Sequence, residues 1–552
     1  MTRRVLSGAV VVAAIVFASL LLVTRQSVAD VTFTVNSVLD QPDDLTIPGT
    51  CHTAAGTCTL RAAVMQANRS AGAGATIQLP AGLYSLTIPA MGTDGDESGD
   101  LNLTTPTDGN PVITLVGEGA STTRIETFQF QRILRVSAGR TAILTDVTLS
   151  GGSAVFGGGI LNSGNSSLTR SEVSANHADT YGGGIYNSGT LTASQSTISN
   201  NNAVSDGGGV YNTGTLTVSQ STISNNLGDS GGGIFNYVDV AVDHSTISQN
   251  VATSRGGGIY SVGTLQVNHS TVSGNGAPEL GGGICGTGLM SVSRTTVAGN
   301  SSDMGGGMWS AGTLTVAQST ISGNHGNFGG GLYNGLSLFA VNSTISANDA
   351  DSDGGGVYNG GVYGASVIAN VYNTTIAFNG ADADADPVYG GVGGGVYNGP
   401  AGTFNLRNSL VAGNIVENAP VSDDCNGTLS SYGRNLIGEL GEPAPCTISV
   451  GSGSWTALNS TSLIDILRNN GGPTKTHALL PGSNAIDGGD PTFGCTDYNG
   501  NAIATDQRGA PRVTGVRCDI GAFEVPEPAS MAGAAVAIVT LVSIRRATRS
   551  DR

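Results

Sequence analysis

The sequence predicts an all-β protein: a right-handed parallel β-helix (solenoid) with a small helix-containing N-terminal cap and a disulfide-bearing C-terminal cap. A glycine triplet followed by an apolar residue recurs ten times, and the first eight intervals are 24 or 25 residues long. Each interval holds three short alternating segments separated by Gly and Asn turns, as in 207–226. At about 3.3 Å per residue, one interval makes one three-sided coil. The triplets begin at Gly157, Gly182, Gly207, Gly231, Gly256, Gly281, Gly305, Gly329, Gly354 and Gly393.

Composition agrees with a solenoid and excludes several classes of protein. The 552 residues include 85 glycines without collagen periodicity, and only 11% are charged. The formal net charge is −17 and the only lysine is Lys475. Because phosphate binding requires clustered Lys and Arg, the chain is not expected to bind nucleic acid.

Two columns of the repeat explain how the coils stack. The residue after each triplet, such as Ile185 or Val210, is apolar, and so is one residue of the later Ser-Thr-Ile segment, such as Ile198. Stacked coil on coil, these residues form the interior. Three residues after the second apolar position every unit has an asparagine, from Asn176 to Asn414. Asn tolerates the turn conformation and its amide bonds to its stacked neighbours, which predicts an asparagine ladder.

The first 29 residues predict an export signal. Arg3 and Arg4 precede an apolar run from Val5 to Val23, and Ala29 ends a short stretch of small residues at a cleavage position. The alternative is a retained membrane anchor, since 19 apolar residues can just span a bilayer.

Residues 30–90 predict the N-terminal cap. The spacing of apolar residues in 59–71 predicts a helix that covers the first coil. In an exported protein Cys51 and Cys58 are expected to form a disulfide. The segments Phe33-Thr34-Val35-Asn36 and Cys58-Thr59-Leu60-Arg61-Ala62-Ala63 resemble the bacterial CSLREA domain, without its Glu. That resemblance implies a β-helix surface protein and no catalytic residue.

Residues 91–150 predict the first, less regular coils, and they contain an acidic cluster. Asp94, Asp96 and Asp100 alternate with glycines and could hold Ca²⁺ through oxygen ligands. EF-hand spacing is absent, so a solvated loop is the other interpretation. No other cofactor and no other metal is expected.

Within the repeats (151–414), the position after the apolar column is usually aromatic and is expected to face outward. It forms a stripe that is either sheet-stabilising stacking or a docking face for a glycan or protein. Apart from the stripe, the pairing of Gly-Gly-x-Ile with a later Asn resembles the repeats of polymorphic outer-membrane proteins, which are surface adhesins. The resemblance is partial, because those repeats have Phe-x-x-Asn where this chain has Ile or Val in the first position. The stripe consists of Tyr186, Tyr211, Phe235, Tyr260, Trp309, Tyr333, Tyr358 and Tyr397, with Leu161 and Cys285 in the two other slots.

Carboxylates ahead of the triplets keep an enzyme hypothesis open, because adjacent coils would bring two of them to the spacing of glycosidase carboxylates. Arg170, Arg255 and Arg294 are the basic side chains of residues 151–350 apart from histidine, and none is placed in that column by the repeat. His244 and His269 are expected to stack on each other. The carboxylates are Asp179, Asp206, Asp229, Glu279, Asp303, Asp351 and Asp353.

Residues 415–524 differ in composition from the repeats. Two further disulfides are expected, Cys425–Cys446 and Cys495–Cys518, which leave Cys285 unpaired. The segments 469–487, 505–512 and 518–524 resemble the choice-of-anchor domain, which implies a structural end cap.

The last segment, 525–552, resembles a PEP-CTERM sorting signal that an exosortase processes. It has Pro526, Glu527 and Pro528, then an apolar stretch from Met531 to Ile544 and a basic tail. Fourteen residues reach only about 21 Å as a helix, so a transient membrane insertion is expected.

Together these features predict an exported, surface-anchored or exopolysaccharide-associated β-helix protein of a Gram-negative bacterium, adhesin-like or structural and without catalytic residues. Its expected partners are the exosortase machinery and exopolysaccharide or surface glycans. The alternative is a polysaccharide-active lyase or glycoside hydrolase, which would need carboxylates converging with an Arg in one cleft.

Overall fold

A computed structural model describes residues 30–70, 74–90, 95–104, 112–361, 365–383, 391–417, 421–438, 446–450, 464–491, 494–497, 499–513 and 515–526. The fold is a parallel β-helix of the right-handed type, as the sequence predicts. Each coil contributes one strand to each of three long sheets, here called sheets 1, 2 and 3 in the order of the first coil. A continuous apolar core runs inside them.

The N-terminal cap contains the helix α1 (Leu60–Arg69). Thr59 caps it, since its hydroxyl accepts a hydrogen bond from the Ala62 amide. Leu60, Val64 and neighbouring apolar residues of this helix join the solenoid core, which would otherwise end in an exposed face. Arg61 is buried and bonds through Nε to Asp40 at 2.6 Å, so this arginine links the helix to the preceding loop.

Sheet 1 has sixteen strands in the described residues. They are Val31–Thr34, Ala75–Leu79, Val112–Gly117, Thr141–Thr145, Asn165–Thr169, Thr190–Ser194, Thr215–Ser219, Asp239–Asp243, Thr264–Asn268, Leu289–Ser293, Thr313–Ala317, Ser337–Val341, Val367–Tyr372, Gly402–Arg407, Thr428–Ser431 and Thr447–Val450.

Sheet 2 has fourteen strands within the same residues. They are Gly82–Leu86, Thr123–Thr127, Thr148–Ser150, Glu172–Ser174, Thr197–Ser199, Thr222–Ser224, Thr246–Ser248, Thr271–Ser273, Thr296–Ala298, Thr320–Ser322, Thr344–Ser346, Thr375–Ala377, Leu410–Ala412 and Leu436–Ile437.

Sheet 3 carries the residues that follow the glycine triplets, with thirteen strands in the part of the chain that the structure describes. They are Leu101–Leu103, Leu134–Val136, Ile160–Asn162, Ile185–Asn187, Val210–Asn212, Ile234–Asn236, Ile259–Ser261, Ile284–Gly286, Met308–Ser310, Leu332–Asn334, Val357–Asn359, Val396–Asn398 and Cys425–Asn426.

The register confirms the columns that the repeat predicts. Ile185 pairs with Val210, and Tyr186 with Tyr211, so equivalent positions lie directly above one another. The asparagine ladder is also present: Asn201 Nδ2 donates to Asn226 Oδ1 at 3.0 Å, and the pattern continues to Asn414. A second, unpredicted ladder follows sheet 3, where Asn187 Nδ2 donates to the Oδ1 of Asn212 at 2.7 Å.

The predicted three-sided coil is incomplete, because many coils contain a fourth short strand between the ladder asparagine and the next triplet. These fourth-side strands are too irregular in sequence to stand out from the turns around them, and two groups of them form short sheets. The first group is Ser153–Phe156, His177–Tyr181, Asn202–Ala203, Leu227–Ser230 and Val251–Arg255. The second is Ser301–Met304, His325–Phe328, Asp349–Ala350, Gly380–Ala381, Ile415–Val416 and Val421–Ser422.

The glycine triplet comes after the fourth side of the coil and forms a sharp turn. Gly182 has a φ of +70°, and a Cβ there would lie 2.4 Å from the Ile185 carbonyl oxygen. At Gly183 a Cβ would meet the backbone of Asn202 in the next coil at 2.4 Å. The chain therefore turns back sharply on itself at each triplet, which only glycine permits.

The C-terminal region lies along the side of the solenoid. Its residues 464–526 contact sheet 2 over several successive coils, from Thr320, whose hydroxyl donates to the Lys475 carbonyl, to Thr375, whose hydroxyl accepts from the Ala522 amide. A second apolar cluster fills this contact and includes Leu410, Ile520 and Phe523. The choice-of-anchor resemblance predicts an end cap for this segment. In the structure the segment instead covers the outer face of sheet 2, along the side of the solenoid.

Three disulfides form as predicted, Cys51–Cys58, Cys425–Cys446 and Cys495–Cys518, and Cys285 is free and buried. Disulfides of this number are typical of an extracellular or periplasmic protein. Among the described residues no helix has the length and apolar character needed to cross a bilayer. Ala29, Glu527, Pro528 and the apolar stretch 531–544 lie outside the described residues, and Pro526 is an exposed residue at their edge.

Candidate functional site

The aromatic stripe is a stack along the outer face of sheet 3. Tyr186 and Tyr211 have ring centroids 5.3 Å apart, Tyr211 and Phe235 4.9 Å, and Phe235 and Tyr260 5.2 Å. After Cys285 the stack resumes and ends with Tyr358 and Tyr397 at 4.7 Å. Mutual stacking of this kind stabilises the sheet, as one of the two interpretations of the stripe requires.

The stripe is less open than its outward direction suggests. In several coils the fourth-side strand ends directly before the triplet, as His177–Tyr181 does before Gly182. Its last residue then lies over the stripe: Tyr181 stacks on Tyr211 with centroids 4.5 Å apart. Burial by this overlying row raises the pKa of Tyr211 to about 12. Further along the solenoid Leu280 and Met304 cover Trp309, which is only 6% exposed.

A groove opens beside this covered part of the stripe. Its volume is about 570 Å³. The polar lining comes from the fourth side, with Arg255, Glu279 and Asp303, and the aromatic lining from sheet 3, with Trp309 and Tyr333. Pro278, Leu280, Met304 and Gly361 complete the walls. A cleft with aromatic walls and a few converging polar groups is the usual form of a ligand site.

Arg255 and Glu279 form the charged edge of the groove. Arg255 Nε lies 2.8 Å from Glu279 Oε2, and both side chains are about half exposed. This bond raises the pKa of the Arg255 guanidinium further above its ordinary value. The repeat does not predict an arginine among the carboxylates, but the structure places Arg255 there, because it ends the fourth-side strand directly before its triplet. The residue that directly precedes each triplet is the sequence position from which this placement could be predicted.

Trp309 supplies the most unusual polar group of the groove. Its indole Nε1 is buried and has no hydrogen-bond partner among the residues that the structure describes. A buried N–H without a partner costs roughly 1–3 kcal/mol, so native proteins seldom leave one unless something else accepts from it. Trp309 itself lines the groove. A ligand acceptor that reached Nε1 after a small side-chain shift would supply the missing hydrogen bond.

The other carboxylates of the row have separate partners. Asp229 accepts from the Thr253 hydroxyl at 2.7 Å, Asp303 from the Asn327 amide at 3.2 Å, and Asp351 lies 3.4 Å from His325 Nε2. Burial raises the pKa of Asp206, and it raises that of Asp353 as well. Asp179 lies 3.3 Å from His177 Nε2 and is largely exposed.

A carboxylate outside the predicted row has the clearest shift. Burial and, second, the nearby Glu417 carboxylate raise the pKa of Asp349 to about 6. Both carboxylates face Gly380, where an added Cβ would lie 2.7 Å from Glu417 Oε1 and 3.1 Å from Asp349 Oδ1. The groove lies elsewhere, and neither carboxylate lines it.

The acidic cluster near the N-terminus is engaged by arginines. Asp96 Oδ2 lies 2.9 Å from Arg69 Nη1, and Asp100 Oδ2 lies 2.9 Å from Arg132 Nη1. The third predicted ligand, Asp94, lies outside the described residues. Calcium binding by this cluster stays a prediction, and the two described carboxylates have cationic partners instead.

No protein-family model and no curated protein matches the chain. Two solved structures are similar to it in backbone. The A-module of the Azotobacter vinelandii mannuronan C-5 epimerase AlgE4 is 16% identical, with 72% of this chain and 94% of that chain covered and a TM-score of 0.33. The pectate lyase Pel9A is 12% identical, with 90% and 96% covered and a TM-score of 0.28. At these identities the likeness concerns the fold alone.

Proposed function

We propose that this protein is an exported β-helix protein that binds a polysaccharide in the groove between Arg255 and Trp309, without cleaving it. The observation that carries the proposal is the unpartnered Nε1 of Trp309 in a groove edged by Arg255 and Glu279. Indole and guanidinium groups donate hydrogen bonds, carboxylates accept them from hydroxyl groups, and an aromatic wall packs against a sugar ring.

Charge favours a neutral glycan over a polyuronate. The chain carries a formal net charge of −17, and carboxylates precede several successive triplets on the same side of the solenoid. Arg255 is the cation of the groove lining, and Glu279 already pairs with it. A polyanion would therefore meet repulsion along the row, which lowers both its encounter rate and its affinity.

Binding is measured by affinity electrophoresis of the purified protein in gels that contain a neutral glucan, a neutral galactan or a polyuronate. Retardation is expected with a neutral glycan and is lost in Trp309→Phe, which keeps an aromatic ring but removes the N–H. Asp179→Asn is the matched control, because it removes an exposed carboxylate of the same row away from the groove. Equal migration of wild type and Trp309→Phe in every gel would refute the proposed site.

A second candidate function is cleavage of the bound glycan. One observation favours it: Glu279 and Asp303 line the same groove together with an arginine. Its test is release of reducing ends or unsaturated products by the purified protein, with Glu279→Gln and Asp303→Asn as inactive variants. Binding without product release supports the non-catalytic proposal.

Surface attachment through the C-terminal segment is part of the same proposal. The supporting observations are the tripartite order of 525–552 and the exposed position of Pro526, where a processing enzyme can reach the chain. Replacing Pro526, Glu527 and Pro528 by alanine is expected to block maturation. The measurement is the mass of the mature protein in exosortase-containing Gram-negative cells, and normal processing of the variant would refute the assignment.

A further inference from the structure

Three side chains of metal-ligand type meet at one corner of the solenoid, far along the repeat from either end. His244 and His269 occupy the corner between sheets 1 and 2 in two successive coils, with φ of 46° and 45°. Asp243 precedes the first of them and ends the strand Asp239–Asp243. The imidazole rings are stacked, with centroids 4.6 Å apart and planes at 14°. The sequence predicts the stacking but not the carboxylate beside it.

This combination departs from the repeat. In the other coils of the repeats (151–414) the corner residue is an amide or an arginine, and the residue before it is not a carboxylate. The coil that precedes them has Asp146 at this corner, where it forms an ion pair with Arg170. The left-handed corner conformation itself therefore needs no histidine, since Gln does the same at Gln195 and Gln220. The corner residues of the repeats are Arg170, Gln195, Gln220, His244, His269, Arg294, Gln318, Asn342, Asn373 and Asn408.

The distances suit one ion. His244 Nδ1 lies 2.8 Å from Asp243 Oδ2, His269 Nδ1 lies 3.8 Å from Asp243 Oδ1, and the three ligand atoms lie within 4.8 Å of one another. Ligand atoms of a tetrahedral Zn²⁺ site with bonds of about 2.0–2.1 Å are about 3.4 Å apart, between the two measured values. Small side-chain rotations are therefore enough to bring all three to one ion.

Two further observations make the corner receptive to a cation. His269 Nδ1 is buried and has no hydrogen-bond partner within the described part of the chain. The nearest corner cation, Arg294, donates from Nε to Gln318 Oε1 at 3.0 Å, on the side away from His269. Asp243 is additionally held by the Asn268 amide at 2.9 Å, which orients the carboxylate toward the second histidine's coil.

We propose that Asp243, His244 and His269 bind one divalent transition-metal ion, of which Zn²⁺ is the best match to two imidazoles and one carboxylate. The ion replaces the hydrogen bond between His244 and Asp243, and the Nδ1 proton passes to solvent. Water completes the coordination, because the site is at the surface. Since the ligands come from two coils, the bound ion links them.

The test uses the purified full chain and Zn²⁺ alone, by isothermal titration calorimetry in chelator-free buffer. The wild type is expected to bind one ion at this site and to melt at a higher temperature when it is loaded. His244→Gln and His269→Gln introduce the residue that other corners already carry, and each should weaken binding by about tenfold or more. Circular dichroism checks that both variants remain folded.

His177→Gln and His325→Gln are the matched controls, because each removes an exposed histidine that lies beside a single carboxylate, at 3.3 and 3.4 Å. They should leave Zn²⁺ affinity unchanged. Equal affinity of the wild type, His244→Gln and His269→Gln would overturn the proposal, as would a loss in the control variants as large as that in the corner variants. With Co²⁺ in place of Zn²⁺, a visible absorption band that His269→Gln abolishes would support it independently.

Discussion

The asparagine ladder offers a direct measure of what holds successive coils together. Asn201 is buried, and its Oδ1 accepts from both the backbone amide and the Nδ2 of Asn176, each at 3.0 Å. Its own Nδ2 donates to the Val173 carbonyl and to Asn226 Oδ1, also at 3.0 Å. Replacing Asn201 by Ala therefore removes four buried hydrogen bonds that link three coils.

The expected loss follows from the groups left behind. The amide of Asn176 loses its partner, which costs about 1–3 kcal/mol, and the other three bonds contribute about 0.5–1.5 kcal/mol each. Because Asn176 Nδ2 and Asn226 Oδ1 keep other partners, we expect Asn201→Ala to lower the free energy of unfolding by about 3–5 kcal/mol.

The assay is urea unfolding followed by far-ultraviolet circular dichroism with the disulfides intact. Asn202→Ala is the matched control, since Asn202 is the next residue, is exposed and belongs to no ladder. Its effect should stay within about 0.5 kcal/mol. A loss below about 1 kcal/mol for Asn201→Ala, or equal losses for the two variants, would refute the reasoning that the ladder stabilises the stack.

Three further predictions concern the triplet and two buried ionisable groups. Gly208→Ala places a Cβ 2.2 Å from the Leu227 carbonyl oxygen, so it should cost at least about 3 kcal/mol in urea unfolding, whereas Gly276→Ala, whose Cβ would meet nothing nearer than 3.6 Å, should cost far less. Burial lowers the pKa of His477 in the folded protein, so below about pH 6.5 the unfolded chain binds more protons than the folded one. The free energy of unfolding should therefore fall as the pH drops below about 6.5. Thermal melts of His477→Gln should lack this pH dependence. In the folded protein the pKa of Asp349 is raised to about 6, so ionisation of this carboxyl destabilises the fold as the pH rises from about 4 through 6. At pH 8, Asp349→Asn should therefore melt at a higher temperature than the wild type. At pH 4 the two proteins should have the same melting temperature.

Much of the fold can be predicted from the sequence, because a solenoid repeats the same contacts. Once the period is known, residues such as Ile185 and Val210 must lie above one another, and so must Asn201 and Asn226. The helix Leu60–Arg69 and the three disulfides also follow from local patterns, namely apolar spacing and cysteine count in an exported chain.

The candidate site could be predicted only in part. The repeat predicts the column of stripe residues. The groove, however, is formed by contacts between positions that are not equivalent in the repeat, and periodicity does not predict such contacts. Arg255, Leu280 and Met304 belong to one column and Trp309 to another, and the fourth-side strand brings the two together. The sequence of that strand has no regular pattern that would predict a strand. Its position is therefore visible only from its pairing with the same strand in neighbouring coils.

The coil period, the interior columns and the asparagine ladder can be read from the repeat, because they depend on similar residues stacked at a constant rise. The sharp turn at the triplet, the cover over the stripe and the packing of residues 464–526 against the side of sheet 2 appear only in the folded chain. One difference between the two kinds of contact explains this division. Contacts between like positions are encoded by periodicity, whereas contacts between unlike positions depend on how the turns direct the chain in space.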